Sequence, residues 1–207
     1  MMSINNEIWS PFRLSNNIQS TAESIISSFH LGVTTNRVVR AIKWNCNNHT
    51  GTVLNVDGSY IDGRAGYGGL LRNSAGHYLS SFSGYIPNTD DILLAELTAI
   101  HQGLHTAINK GLTNLMCYSD SQISIDLILR DDPQFHIYAV LIQDIKDLVA
   151  NYNLSLLHTL REGNQCADIL AKKGATSDAA LVIHSTPPVD LLAQLRTDAL
   201  GTFFPRL

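Results

Sequence analysis

Charge is scarce in this 207-residue chain: Asp, Glu, Lys and Arg together make 15% of it, where soluble domains average roughly a quarter. Eighteen acidic against 14 basic residues leave a net charge of -4, with an isoelectric point near 6.0. That balance excludes a broad basic surface of the kind that grips nucleic acid without specificity. It leaves room for a cleft that meets a phosphate backbone through a few donors and metal ions. Cysteine is equally sparse. Cys46, Cys117 and Cys166 are odd in number and far apart, which fits reduced thiols and excludes a disulfide framework or zinc-ligand spacing. No apolar run reaches the roughly 18 residues of a membrane span, so no membrane contact is expected. The opening M-M-S-I-N-N-E-I-W-S has neither the basic nor the hydrophobic run of a secretory signal. The expectation is a protein that is not secreted, and no basic cluster decides between nucleus and cytoplasm.

Apolar residues are plentiful, at 44%, enough for the core of one domain with extensions. Residues 1–49 read as an N-terminal extension, rich in Asn, Ser and Thr, with a short helix expected over Ala22–Leu31. Arg37, Arg40 and Lys43 make a modest basic patch before the polar run Asn45–Thr50. The extension is expected to be a leader or a fragment of a larger ancestral chain, the alternative being a small arm that touches nucleic acid. The domain is expected over residues 50–176. Residues 177–207 form a tail in which Pro187-Pro188 precedes Leu191, Leu192, Leu195 and Leu200, expected to be a docking helix or a mobile end.

Within the domain the hydrophobic period changes in a telling order. Thr52–Tyr60 reads as a strand, rich in residues that favour a pleated backbone. Turn signals at Asp62-Gly63 and Asn73–Gly76 separate it from a second strand entered through Gly66–Gly69 and a third over His77–Tyr85. Leu93, Leu97, Ile100, Leu104 and Ile108 then recur at helical spacing, beside a stripe of Glu96, Ala99, Gly103 and Ala107. A buried strand over Leu115–Tyr118 follows, then a helix to Leu129 that Ser119 or Asp120 is expected to cap. A helix over Phe135–Tyr152, a strand over Leu154–Leu160 and a helix over Gln165–Lys173 complete the series. The order β-β-β-α-β-α-α-β-α predicts an α/β fold: a five-stranded mixed sheet, its first three strands an antiparallel meander, flanked by helices on both faces.

Four carboxylates occupy informative places on that framework. Asp57 lies late on the first strand and Glu96 on the small-residue face of the long helix. Asp120 sits at a strand's C-terminal end, and Asp168 in the first turn of the last helix. Sites of α/β sheets gather where strands end and helices begin. Four carboxylates brought together would repel one another strongly. A pair of divalent ions about 4 Å apart resolves that conflict, and magnesium suits a hard, all-oxygen site. Each acid also has a plain structural reading: a turn aspartate, an exposed helix glutamate, an N-cap, and a favourable first-turn acid.

The motifs N-V-D-G-S-Y (55–60), A-G-Y-G-G-L-L-R-N-S-A-G-H (65–77), L-L-A-E-L-T-A-I-H-Q-G-L (93–104), Y-S-D-S (118–121) and R-E-G-N-Q-C-A-D-I-L-A (161–171) follow one another in order. In that order they resemble a type 1 ribonuclease H domain, in its plant reverse-transcriptase-like, retroelement-derived branch. The P-P-V-D-L-L-A-Q-L tail (187–195) and its final D-x-x-G resemble the same branch more weakly. The resemblance implies that Asp57, Glu96, Asp120 and Asp168 are the catalytic residues and hold two Mg2+ ions, for which Mn2+ substitutes. It implies a substrate, the RNA strand of an RNA–DNA hybrid, cut to leave a 5′-phosphate and a 3′-hydroxyl, and a monomeric enzyme. Gly58 and Ser59 are candidates to meet 2′-hydroxyls in the minor groove, where a protein distinguishes RNA from DNA. Asn88, Gln122 and Arg161 are further candidate contacts.

Two departures from the family stand out. Many members carry a histidine in a flexible loop before the last aspartate; here His158 has the right count but a strand context. A Lys/Arg-rich protrusion is also missing, since residues 122–150 hold only Arg130 and Lys146 as basic residues. These departures keep open a second reading, a module that retains the fold and binds without cutting. A DNA-processing transposase or integrase relative is a third, disfavoured by D-G-S-Y and the short interval from Glu96 to Asp120. Gly66–Gly69 is no phosphate-binding loop, because it lacks the Gly-Lys-Ser/Thr ending.

Overall fold

The computed structural model describes residues 51–130 and 136–201, with the backbone alone of 3–4, 7–8, 40–42 and 204–206. The expected helix over 22–31 and the side chains of Arg37, Arg40 and Lys43 lie outside the described residues. The meander forms as its turn signals require: β1 (Thr52–Ile61), β2 (Arg64–Arg72) and β3 (Tyr78–Ile86) are antiparallel neighbours. Asp62 and Gly63 turn the first corner, both with positive φ, as a tight hairpin requires. Helix α1 (Ile92–Asn109) carries the chain over one face to β4 (Leu115–Ser119), parallel to β1. Helices α2 (Gln122–Leu129) and α3 (Ala139–Asn151) lead to β5 (Ser155–His158), parallel to β4. Helix α4 (Gln165–Ala175) then crosses the opposite face.

The sheet has six strands, in the order β5-β4-β1-β2-β3-β6, where five were expected. The sixth, β6 (Val182–His184), comes from the segment read as tail and pairs antiparallel with β3. Three residues are too few to show a period, and contacts made far along the chain hold them. Tyr78 and Ser80 donate their hydroxyls to the His184 carbonyl at 2.9 and 3.2 Å. Beyond β6 come a 3-10 turn at Val189–Leu191 and helix α5 (Leu192–Ala199); of the expected leucines, Leu191 and Leu195 pack inward, whereas Leu192 and Leu200 are exposed. Leu191 is fully buried with Leu70, Cys166 and Leu170.

Two cores follow from the alternation of β1 and β2. Leu54, Val56 and Leu71 join Leu97, Ile100 and Leu104 of α1 and Ile142 and Ile145 of α3. Each such fully buried side chain contributes about 1.5–3 kcal/mol. On the other face α4 lies almost on the strand backbone. A Cβ at Gly68 would sit 2.4 Å from the Leu170 carbonyl carbon, so only glycine permits that approach. Both described cysteines, Cys117 and Cys166, are buried free thiols. Among the described residues no helix is long and apolar enough to cross a membrane.

Candidate metal and active site

The sheet delivers two carboxylates at one edge of its pairing. Val56 lies opposite Ser119 at the end of the parallel β1–β4 ladder, so the following residues, Asp57 and Asp120, emerge side by side. Asp57 pairs in register with Gly68 and is therefore directed to the α4 face. Asp120 does not cap α2, contrary to expectation. Ser121 does, its hydroxyl accepting the Ser124 N–H, while Ser119 Oγ accepts the Ser121 N–H at 3.1 Å. The helix begins one residue later than the composition suggests, and Asp120 is left to face the cleft.

Glu96 arrives from the α1 face. Asp91 starts that helix by accepting the Leu93 N–H at 2.8 Å, and the Tyr138 hydroxyl holds Asp91 at 2.5 Å. Further along, Glu96 Oε2 accepts the Gly58 N–H at 3.1 Å. A Cβ at position 58 would lie 2.5 Å from the Glu96 nitrogen. Glycine is thus required there by the close passage of α1.

Ligand oxygens of Asp57, Glu96 and Asp120 all lie within 4.8 Å of one another. Asp57 is only 4% exposed. Burial, then repulsion by Glu96, Asp120 and Asp168, pushes its carboxyl well above the usual range. Burial and Asp120 push Glu96 the same way, against the opposing pull of the Gly58 N–H. An all-oxygen group that resists ionisation for want of positive charge fits a hard divalent cation. Asp168 stands in the first turn of α4, close enough to repel Asp57. It is outside the group of three, and its Oδ2 lies 2.6 Å from Lys172 Nζ.

A cleft of about 630 Å³ opens over these acids, lined also by Gly58, Ile92, Ile123, His158, Arg161 and Glu162. Arg161 and Glu162 border a second hollow of about 340 Å³ with Gln165, Asp168 and Lys172. Arg161 thus faces both, and its positive charge favours the ionised Glu96. The other candidate contacts are placed differently. Ser59 is buried, and the Gly58 N–H is engaged by Glu96. Gln122 is exposed and bonded to Asp126 at 2.7 Å. Asn88 is exposed in the turn after β3 with φ 56°. Neither of these two is among the described residues lining the cleft.

Comparison with known proteins agrees with this geometry. The reverse transcriptase-like family matches residues 55–174. This chain belongs to that family. Its domain is a type 1 ribonuclease H-like domain, as the motifs led us to expect. An Arabidopsis thaliana protein provisionally named a ribonuclease H protein is 27% identical over 179 residues, which cover 85% of this chain. The chain spans 29% of that relative's length. The fold is shared with the N-terminal RNase H domain of a Mycobacterium tuberculosis protein, at TM-score 0.55 and 22% identity. That match covers 60% of this chain and 92% of the other. It is also shared with LC11-RNase H1, solved in complex with an RNA/DNA hybrid, at TM-score 0.54 and 21% identity. There the match covers 60% of this chain and 96% of that one.

The departures from other ribonuclease H-like domains now have positions. His158 is the last residue of β5, in register with Ser119. It is exposed on the cleft wall and belongs to the strand, as its sequence context indicated. Where a basic protrusion would stand, this ribonuclease H-like domain exposes Ile123, Leu129, Ile137 and Val140, and Lys146 is tied to the Arg130 carbonyl. One site residue escaped the sequence reading altogether. Asn164 looked like the opening of a helix, yet its buried amide bonds to Asp120 and to β1. The only signal was an amide four residues before Asp168, which a helix start explains equally well.

Proposed function

We propose that this domain hydrolyses the RNA strand of RNA–DNA hybrids, cutting internally and working as a monomer. The observation that carries the reading is the convergence of Asp57, Glu96 and Asp120 within 4.8 Å in a domain of this family. These three, with Asp168, would hold two Mg2+ ions, or Mn2+ in their place. Such ions supply a reactive water and neutralise charge at the scissile phosphate. The chain's own part is orientation. The Gly58 N–H aims Glu96 into the cleft, and burial keeps Asp57 in a medium where its charge acts strongly. Arg161 and Gly58, which line the cleft, would meet a backbone phosphate and a 2′-hydroxyl respectively, while Ser59 is buried away from it.

A second reading, a nucleic-acid-binding or interaction module with little or no cutting, is favoured by the apolar surface that stands in place of basic residues. One experiment separates the two. A labelled RNA–DNA hybrid is incubated with the protein and Mg2+ or Mn2+, beside single-stranded RNA, duplex RNA and the Asp57→Asn variant. Cutting of the hybrid alone, absent in the variant, is expected. Folded protein that cuts nothing with either metal would sink the enzymatic reading and direct attention to hybrid affinity.

A further inference from the structure

Asn164 makes more connections within the site than any single carboxylate needs, and they are of a directional kind. Its side chain is 1% exposed. One amide hydrogen goes to the Val56 carbonyl at 2.9 Å, and the other to Asp120 Oδ1 at 3.0 Å. Its Oδ1 accepts from Asn55 Nδ2 at 3.2 Å. Its backbone carbonyl accepts the N–H groups of Ala167 and Asp168, at 3.0 and 3.1 Å. One residue is therefore bonded to the strand carbonyl just before Asp57, to the Asp120 carboxylate, and to the backbone of Asp168.

The planar amide leaves no freedom in this arrangement. Turning it over would set its oxygen against the Val56 carbonyl and the Asp120 carboxylate, two acceptors, and its nitrogen against the Asn55 amide nitrogen. The observed orientation is the one that satisfies all three side-chain bonds. We propose that Asn164 is a positioning residue for the metal site. It holds Asp120 in ligating orientation before any cation arrives, with Asn55 fixing which end of the amide faces the carboxylate. The bond to Oδ1 leaves the second carboxylate oxygen for the ion. Without it, Asp120 would be turned away by repulsion from Asp57 and Glu96, and metal binding would have to pull it back. Outer partners of this kind are worth about 10–100-fold in metal affinity. The inference rests on the metal-dependent reading above.

The test is calorimetric Mn2+ affinity, with thermal melting of the same samples, for the parent, Asn164→Ala, Asn55→Ala and Ile145→Ala. Ile145 is a fully buried core residue of α3 and serves as a control that loses stability without touching the site. Asn164→Ala is expected to weaken Mn2+ binding 10–100-fold, and Asn55→Ala by a smaller factor, while Ile145→Ala lowers the melting temperature and leaves affinity unchanged. If Asn164→Ala binds within about threefold of the parent while folded, the amide serves the fold alone and the proposal is wrong. Should Asn164→Ala fail to fold, Asn55→Ala decides: unchanged affinity overturns the proposal, and weakened affinity upholds it. A parent that binds no Mn2+ overturns the metal reading itself, and with it this inference.

Discussion

Two regions of this domain bury charge, and they treat it in opposite ways. On the α4 side, Arg72 of β2 meets Asp198 of α5 at 2.6 Å, with side chains only 2% and 8% exposed. Cys166 and Gln194 donate to the same Asp198 carboxylate at 3.3 and 2.9 Å. Positive and negative charge are matched there. At the end of the β1–β4 ladder, Asp57, Glu96 and Asp120 are gathered with no cationic side chain among the described residues in their midst, and two of them are pushed toward protonation. The matched pair fastens the C-terminal helix to the sheet. The unmatched acids destabilise the metal-free fold, and are explained by what they would bind. Buried charge is thus a mark of function here only where the protein leaves it uncompensated.

The largest effect should come from removing one unmatched charge. Asp57→Asn should reduce hybrid cleavage to the level of the protein-free control, while raising metal-free stability by about 2 kcal/mol at neutral pH, because it relieves like-charge repulsion at a buried position. Denaturant unfolding in the presence of a chelator reads the second half. A variant that is less stable than the parent would mean that the acids are already compensated, and the contrast drawn above would fall. The matched pair should respond in the opposite sense. Arg72→Met leaves Asp198 buried without its partner and should cost about 3–5 kcal/mol, with little change in cleavage at a temperature where the variant stays folded. A drop in cleavage at full folding would show that the pair also serves the site.

The unmatched acids should also make stability depend on pH. Asp57 and Glu96 have folded-state values raised above those of the unfolded chain, so between those values the folded state binds more protons. Their contribution is fully present below the ordinary carboxylate range and is lost as pH rises through the raised values. Metal-free protein should therefore melt progressively lower from about pH 5 toward pH 8, and Mg2+ should remove most of that decline. A metal-free melting temperature that is flat or rising over this range, in a series where Asp57→Asn behaves like the parent, would contradict the assignment.

How much of this was legible beforehand depended on the range of the contacts. The meander and α1 announced themselves through local turn chemistry and period, signals that span fewer than about ten residues, and the four acids as a set through motifs that follow one another in the order of the family they resemble. The sixth strand did not, because Val182–His184 is too short to alternate and is recruited by hydroxyls of β3. Arg72 and Asp198 are 126 residues apart, and nothing in either neighbourhood indicates the other. Ser121 was passed over as a cap because three good capping residues stand together in Ser119-Asp120-Ser121, and only the helix start at Gln122 selects among them. Asn164 was hidden for the same reason as the pair: its partners Asn55 and Asp120 lie 109 and 44 residues away.

Lys172 offers the finest adjustment of the contrast, since among the described residues it is the one cation in an ion pair with an acid of the candidate site. Its pair with Asp168 is spaced i,i+4 and half exposed on the lysine side, a kind worth about 0.2–1 kcal/mol. A metal that enlists Asp168 must compete with that ammonium group. Removing it in Lys172→Met frees the carboxylate and makes the cleft more negative, and both changes act in one direction. Mn2+ affinity measured by calorimetry should rise about two- to fivefold, with a melting temperature close to the parent's. Weaker binding would reverse the assignment. Lys172 would then be holding Asp168 toward the ions, and the site would already contain a share of the matched charge that distinguishes the Arg72–Asp198 region.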